Sequence, residues 1–275
     1  MRTLATLVLL SAAASAQDQP LLTDYVKASI SVPPAPLGYD AFYKKYTDAL
    51  GIPIVASDRP PDMALLVARD IVNQMLSKRS DLRAALIARK WRIVVMAQSE
   101  MTTDVPEHRN LKKPANIQNS QTDKEYWDGR ARGLGGNPTS CAEENLLGYP
   151  GTRYYGENIL VHEFAHAILN GGVRQAEPEL YKEVVAAYEA AMKDGKYKGH
   201  YASTNPNEYW AEGTQWWFFS NYAHTFGETR VSSPEDLRAY DPVLFNLLAR
   251  VYPDHRIPMD IYHAKEIPPR RRPAQ

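Results

Sequence analysis

Cysteine is almost missing from this sequence of 275 residues, Cys141 being the single one. One thiol forms no intrachain disulfide and builds no cysteine-rich zinc site. No obvious base lies near it in sequence, so Cys141 reads as a small buried residue and not as a nucleophile. A surplus of charge is missing too. The 32 basic and 32 acidic residues cancel, which leaves no basic excess to hold nucleic acid or an anionic membrane. Long apolar runs are also missing: a bilayer span needs about 20 consecutive apolar residues, and no window supplies them. The glycines of Gly133-Leu134-Gly135-Gly136-Asn137-Pro138 match neither nucleotide-binding fingerprint and read as turn chemistry.

What is present begins with an address. Arg2 supplies a positive start, residues 3–14 are apolar, and Ala14-Ser15-Ala16 is a small-x-small cleavage site. The order is that of a secretory signal peptide over residues 1–16. The expectation is export, to an extracellular or periplasmic space, of a chain beginning at Gln17. Loss of Arg2 leaves 31 basic against 32 acidic residues, and the remaining 259 residues suffice for one large domain.

Residues 17–61 are poorly patterned, with Pro33-Pro34-Ala35-Pro36 followed by Tyr39, Phe42, Tyr43 and Tyr46; they read as an N-terminal arm laid over the main domain. Apolar residues at helical spacing follow Pro60-Pro61, with Asp62 as a candidate cap, and Ser80 is placed to cap a second, shorter helix. Residues 91–97 are short, apolar and β-branched, as in a buried strand. Residues 99–150 read as mostly loop. Helices are expected over about 154–169, 178–193, 206–220, 234–239 and 242–251. Pro178, Pro206, Pro234 and Pro242 sit where first helical residues belong, and Asn205, Ser233 and Asp241 precede three of them as N-caps. A disordered tail is expected over 266–275. These elements predict an α+β fold, a mainly helical domain over residues 62–265 with a small sheet beside the helix described next.

That helix carries His162-Glu163-Phe164-Ala165-His166. Residues four apart share a helix face, so His162 and His166 can offer two imidazole nitrogens to one ion. Zinc accepts such ligands, and a catalytic site needs a third protein ligand plus water. Glu163, beside the first histidine, can take a proton from that water. In a chain with seven histidines, an accidental His-Glu-x-x-His is expected only about 0.01 times, so the match carries information. The competing reading is a buried helix whose histidines are satisfied by hydrogen bonds. Apolar neighbours nearly all round (Ile159, Leu160, Val161, Phe164, Ala165, Ala167, Ile168) make that reading costly, since two histidines and a glutamate would be buried without a partner.

The third ligand sets the subclass. Leu169 and Gly172 stand where a metzincin has glycine and histidine, which excludes that class. Glu208 and Glu212, in Asn207-Glu208-Tyr209-Trp210-Ala211-Glu212, share a face of a second helix. Glu208 can bind the ion, and Glu212 can accept the proton of a ligand imidazole and fix its tautomer. Glu208 can instead complete a capping box with Asn205, and His200 and His224 compete as third ligands. Trp216-Trp217-Phe218-Phe219, further along that helix, read as core more than as a specificity pocket.

The segment from His162 to His166, followed by Tyr201-Ala202-Ser203-Thr204-Asn205-Pro206-Asn207-Glu208 and Glu212, resembles the catalytic core of anthrax toxin lethal factor-like metallopeptidases, which belong to the gluzincin group. The resemblance covers about residues 154–220. It implies a zincin-like fold, one zinc ion per chain held by His162, His166 and Glu208, and Glu163 as general base and acid. It also implies Tyr201, seven residues before the ligand glutamate, as stabiliser of the oxyanion, with Glu212 behind the ligands. A phenol O–H aimed at a developing negative oxygen is physically apt. The large toxin-binding domains of lethal factor have no counterpart here, so its targets do not transfer. The reading is a secreted zinc metalloendopeptidase acting on a peptide or protein substrate. The alternatives are a zinc amidase acting on a cell-wall or other amide, and a binding module with structural zinc.

Overall fold

The computed structural model describes residues 30–253 and 255–257. The expected signal peptide (1–16), the start at Gln17 and the tail (266–275) lie outside these residues. The fold is α+β. Strands β1 (Lys45–Ala49), β2 (Ile52–Ala56), β3 (Ile93–Met96) and β4 (Thr139–Ala142) form one sheet in that order. β1 and β2 are antiparallel, while β3 and β4 run parallel to β2. The β1–β2 turn places Leu50 and Gly51 at φ of 52° and 96°, the left-handed conformation that two-residue hairpins need. The Asp48 carboxylate accepts the Gly51 N–H at 2.8 Å. Residues 45–56, within the segment read as an arm, thus supply half of the sheet.

Helices α1 (Asp62–Met75) and α2 (Ser80–Ala88) connect β2 to β3. Neither Asp62 nor Ser80 caps its helix; each is the first helical residue, and Asp62 instead pairs with Lys45 at 2.7 Å. The stretch read as mostly loop between 99 and 150 contains α3 (Asp123–Arg130), β4 and the one-turn α4 (Glu143–Leu146). Its elements were hidden because β4, Thr-Ser-Cys-Ala, is too short and too polar to show a period. Burial on all four positions comes from its place against β3, a tertiary effect.

α5 (Ile159–Ala167) starts five residues later than the sequence pattern implied. Its start is set by Asn158, whose side chain accepts the Val161 N–H, and by Asn145, whose side chain accepts the Ile159 N–H. Such caps stabilise by about 1 kcal/mol each. α5 does not stop at 169. It widens into a π-helical stretch, Ile168–Val173, before α6 (Arg174–Ala176) and α7 (Pro178–Lys193). Gly171 permits this: a Cβ there would lie 2.5 Å from the Trp91 ring. α8 (Pro206–Trp217) crosses α5, and α9 (Pro234–Tyr240) and α10 (Pro242–Val251) close the domain. Strands β5 (His224–Phe226) and β6 (Thr229–Val231) form a separate hairpin.

Asn205, Ser233 and Asp241 cap α8, α9 and α10, as their positions predicted. Asp241 does more: fully buried, it also accepts the O–H groups of Tyr197 and Tyr209 at 3.1 and 2.7 Å. That node pins α8 beside the chain preceding Tyr201. Trp216, Trp217 and Phe218 are core residues. Cys141 is buried in β4, and burial pushes its thiol far above its ordinary pKa, which leaves it inert. No helix among the described residues is long and apolar enough to cross a membrane.

Candidate active site

Four segments meet at one centre: α5, the N-terminal turn of α8, the short turn at Tyr201–Ser203, and the loop before β4. His162 and His166 project from the same face of α5, their rings 4.9 Å apart between centroids. Glu208 meets both. Its Oε2 lies 3.0 Å from His162 Nε2 and 3.3 Å from His166 Nε2. Its Oε1 accepts the Tyr201 O–H at 3.2 Å, and the Tyr201 ring stacks on that of His162. Asn205 caps α8 through the backbone N–H groups of Asn207 and Glu208, while the Glu208 carboxylate turns to the histidines. The capping-box arrangement is therefore not the one adopted.

The donor set suits a metal ion. Two imidazole nitrogens and one carboxylate oxygen converge within 4.8 Å of one another. The two nitrogen–oxygen separations are near the edge of a tetrahedron with ligand bonds of about 2.0–2.2 Å, which is roughly 3.4 Å. Burial would raise the Glu208 carboxyl, but hydrogen bonds from His162 and His166 hold it well below the usual carboxylate range. For His162, burial disfavours the cation, yet the Glu208 hydrogen bond and the charges of Glu163 and Glu212 outweigh it and raise the pKa to about 10. The site thus attracts positive charge at the position where an ion would sit.

The His162 ring is oriented by Gln215, a residue the sequence pattern did not single out. Gln215 is fully buried. Its amide Nε2 donates to the Asn158 carbonyl at 3.1 Å, and the Ser220 carbonyl lies at 3.5 Å. Two carbonyls on the nitrogen side leave Oε1 facing His162 Nδ1, at 3.0 Å. Nδ1 therefore donates to Gln215, and Nε2 is left facing Glu208 and the centre, as the nitrogen that would bind an ion there on giving up its proton. This was the role expected of Glu212, but Glu212 stands 3.8 Å from His162 Nδ1. One clue was in the sequence: position 215 is three residues beyond 212, on the same face of α8.

Glu212 belongs to a second group, with His200 and His224. It is 5 % exposed and accepts a hydrogen bond from Asn221 at 2.6 Å. His200 Nε2 lies 3.9 Å from its carboxylate. The His200 Nδ1 accepts the Ala202 N–H at 3.1 Å, so the neutral ring carries its proton on Nε2. A nitrogen that carries a proton is disfavoured as a ligand. Burial lowers the His224 pKa to about 4, so this ring is neutral near pH 7. Neither histidine joins His162 and His166.

Glu163 is half-buried, lines the cleft and is hydrogen-bonded by the Gly135 backbone. Burial pushes its carboxyl up, with the two histidine charges opposing. Gly135 has to be glycine: a Cβ would lie 2.9 Å from the His166 ring and 3.2 Å from the Glu163 carboxylate. The loop bearing it is tied to the sheet by the Leu134–Ser140 bridge. In front of these groups lies an open cleft of about 960 Å³, with Trp127, Arg130, Tyr222 and Phe226 among its walls.

No family model matches the chain, and no curated protein matches it. Among solved structures it is similar to the PRO-PRO endopeptidase PPEP-2 from Paenibacillus alvei, at 18% sequence identity and a TM-score of 0.48, over 72% of this chain and 97% of that one.

Proposed function

We propose that this chain is a zinc metallopeptidase of the gluzincin type, exported as its first residues indicate, with His162, His166 and Glu208 holding one zinc ion. The observation that carries the reading is the position of the Glu208 carboxylate, shared between both imidazole Nε2 atoms and the Tyr201 O–H. Zinc is favoured over other divalent ions by the two-nitrogen, one-oxygen donor set. When bound, the ion supplies Lewis acidity, polarising a carbonyl and making a water molecule acidic near neutral pH.

The remaining chemistry falls to the chain's own groups. Glu163 takes a proton from the attacking water and returns it to the leaving amine. Tyr201 exchanges its hydrogen bond to Glu208 for one to the carbonyl oxygen as that oxygen gains charge. Gln215 accepts the His162 Nδ1–H and so directs Nε2 at the ion. The open cleft beside Glu163 favours an enzyme over a module with structural zinc, whose site would be closed and need no base.

The test is to purify the protein, measure bound zinc, and assay a diverse peptide library with wild type and Glu163→Gln. One equivalent of zinc in both, with cleavage lost by at least about 100-fold in the variant, is expected. Zinc with no cleavage of any peptide by wild type would move the assignment to an amidase or a binding module.

A further inference from the structure

Arg130, the last residue of α3, lines the cleft beside Tyr201. Its Nη2 donates to the Tyr201 hydroxyl at 3.4 Å. It makes no ion pair with a carboxylate among the described residues. The contrast with Arg132, two positions on, is direct. That guanidinium is buried against Glu144, with contacts of 2.6 and 3.1 Å, and also donates to two backbone carbonyls. Arg132 is a structural clamp. Arg130 is exposed, yet its backbone is held in place: its carbonyl accepts the Tyr154 O–H, and the neighbouring Gly129 carbonyl accepts from Arg153.

The charges around it point the same way. Arg153 and Lys198 line the same cleft, and neither has a carboxylate partner among the described residues. Outside the groups around α5 and α8, the acidic residue of the lining is Glu157, which is only 9 % exposed. The outer cleft therefore presents cations to solvent, in a chain whose overall charge is balanced. A cleft lined by one sign of charge concentrates ligands of the other. A guanidinium fork also matches a carboxylate in shape.

We infer that the substrate carries a carboxylate close to the bond that is cut, and that Arg130 binds it beside Tyr201. The inference rests on the peptidase reading for the reaction and adds the substrate's chemical class. Arg130 touches Tyr201, Tyr201 touches Glu208, and Glu208 touches both histidines. Each peptide residue spans about 3.3–3.6 Å, so the carboxylate belongs to a residue next to, or one removed from, the reacting carbonyl. It can be the side chain of Asp or Glu within a longer chain, or the C-terminal carboxylate of a short one. The first makes the protein an endopeptidase for acidic sequences and the second an enzyme that trims chain ends.

The experiment uses zinc-loaded protein carrying Glu163→Gln, so that binding is read without turnover. Calorimetry compares peptides scanned with Glu, Gln or Lys at each position, and one neutral peptide with a free or amidated C-terminus. The carboxylate form is expected to bind at least about tenfold tighter than its neutral partner, the strength of one charge-assisted contact. Added Arg130→Met should abolish that preference, Arg130→Lys should retain part of it, and Arg130→Glu should shift it to the Lys peptide. Preference for Glu supports the internal side chain, and preference for the free C-terminus supports chain-end trimming. Equal or undetectable binding of all forms overturns the inference, as does a preference that survives Arg130→Met. If wild type fails to hydrolyse peptides that bind with the expected preference, the peptidase reading falls while the carboxylate site stands. Cleavage with no charge preference does the reverse.

Discussion

Glu208 and Glu212 sit one turn apart on α8, and each gathers two histidines. Composition alone makes the two groups equivalent, with two imidazoles and one carboxylate apiece. Their hydrogen bonds make them different. At Glu208, the His162 Nδ1–H donates a hydrogen bond to Gln215, and both imidazole Nε2 atoms point at a shared carboxylate. At Glu212, a backbone N–H occupies His200 Nδ1, forcing the ring proton onto the nitrogen that faces the carboxylate. The carboxylate itself is bound by Asn221. In the first group both Nε2 atoms converge on one carboxylate oxygen, while in the second the carboxylate is taken by Asn221 and the His200 ring stands 3.9 Å away. Where each polar atom is directed, more than which residues are present, separates a candidate metal-binding group from a buried polar cluster.

The largest test of that difference is Glu208→Ala. It should abolish stoichiometric zinc binding, measured by metal analysis after dialysis, and all hydrolysis with it. Full zinc content in this variant would transfer the third-ligand role elsewhere, to the second group first of all. Glu163→Gln comes next: turnover drops by about 10²–10⁴-fold while zinc content stays at one equivalent. Loss of zinc there would mean that Glu163 is a ligand and not a base.

Gln215→Leu removes the acceptor of the His162 proton, and chelator competition should show zinc affinity about 10–100-fold weaker. NMR of the zinc-loaded protein, in which Nε2 would bind the ion, should show the His162 Nδ1–H signal shifted from that of wild type. An unchanged signal would mean that Glu212 fixes the ring after all. The smallest effect is expected from His224→Phe, within the cluster of Trp216, Tyr222 and Phe226. Zinc stoichiometry should not change. A lost equivalent would make the second group a metal site and erase the comparison.

Much of the helical architecture is legible from proline and capping residues. Asn205, Ser233 and Asp241 do what their positions promise because a cap needs only its own N–H groups, two or three residues away. β4 was not legible, since Thr139–Ala142 has no pattern of its own and is a strand because β3 lies beside it. The π-helical stretch at Ile168–Val173 was equally hidden, because a ring from residue 91 decides how closely Gly171 packs.

The site divides the same way. His-Glu-x-x-His at 162–166 is one helix turn, and a helix brings residues four apart together wherever it forms. That much the amino-acid sequence determined alone, along with the absence of any competing cysteine chemistry. The partner from α8, the choice of Gln215 over Glu212 behind His162, and the placement of Arg130 against Tyr201 join groups 46, 53 and 71 residues apart. No local rule reaches across such separations. They were decided when α5, α8 and the end of α3 packed together, because only packing fixes side-chain distances to the few tenths of an ångström that hydrogen bonds and metal ligands require.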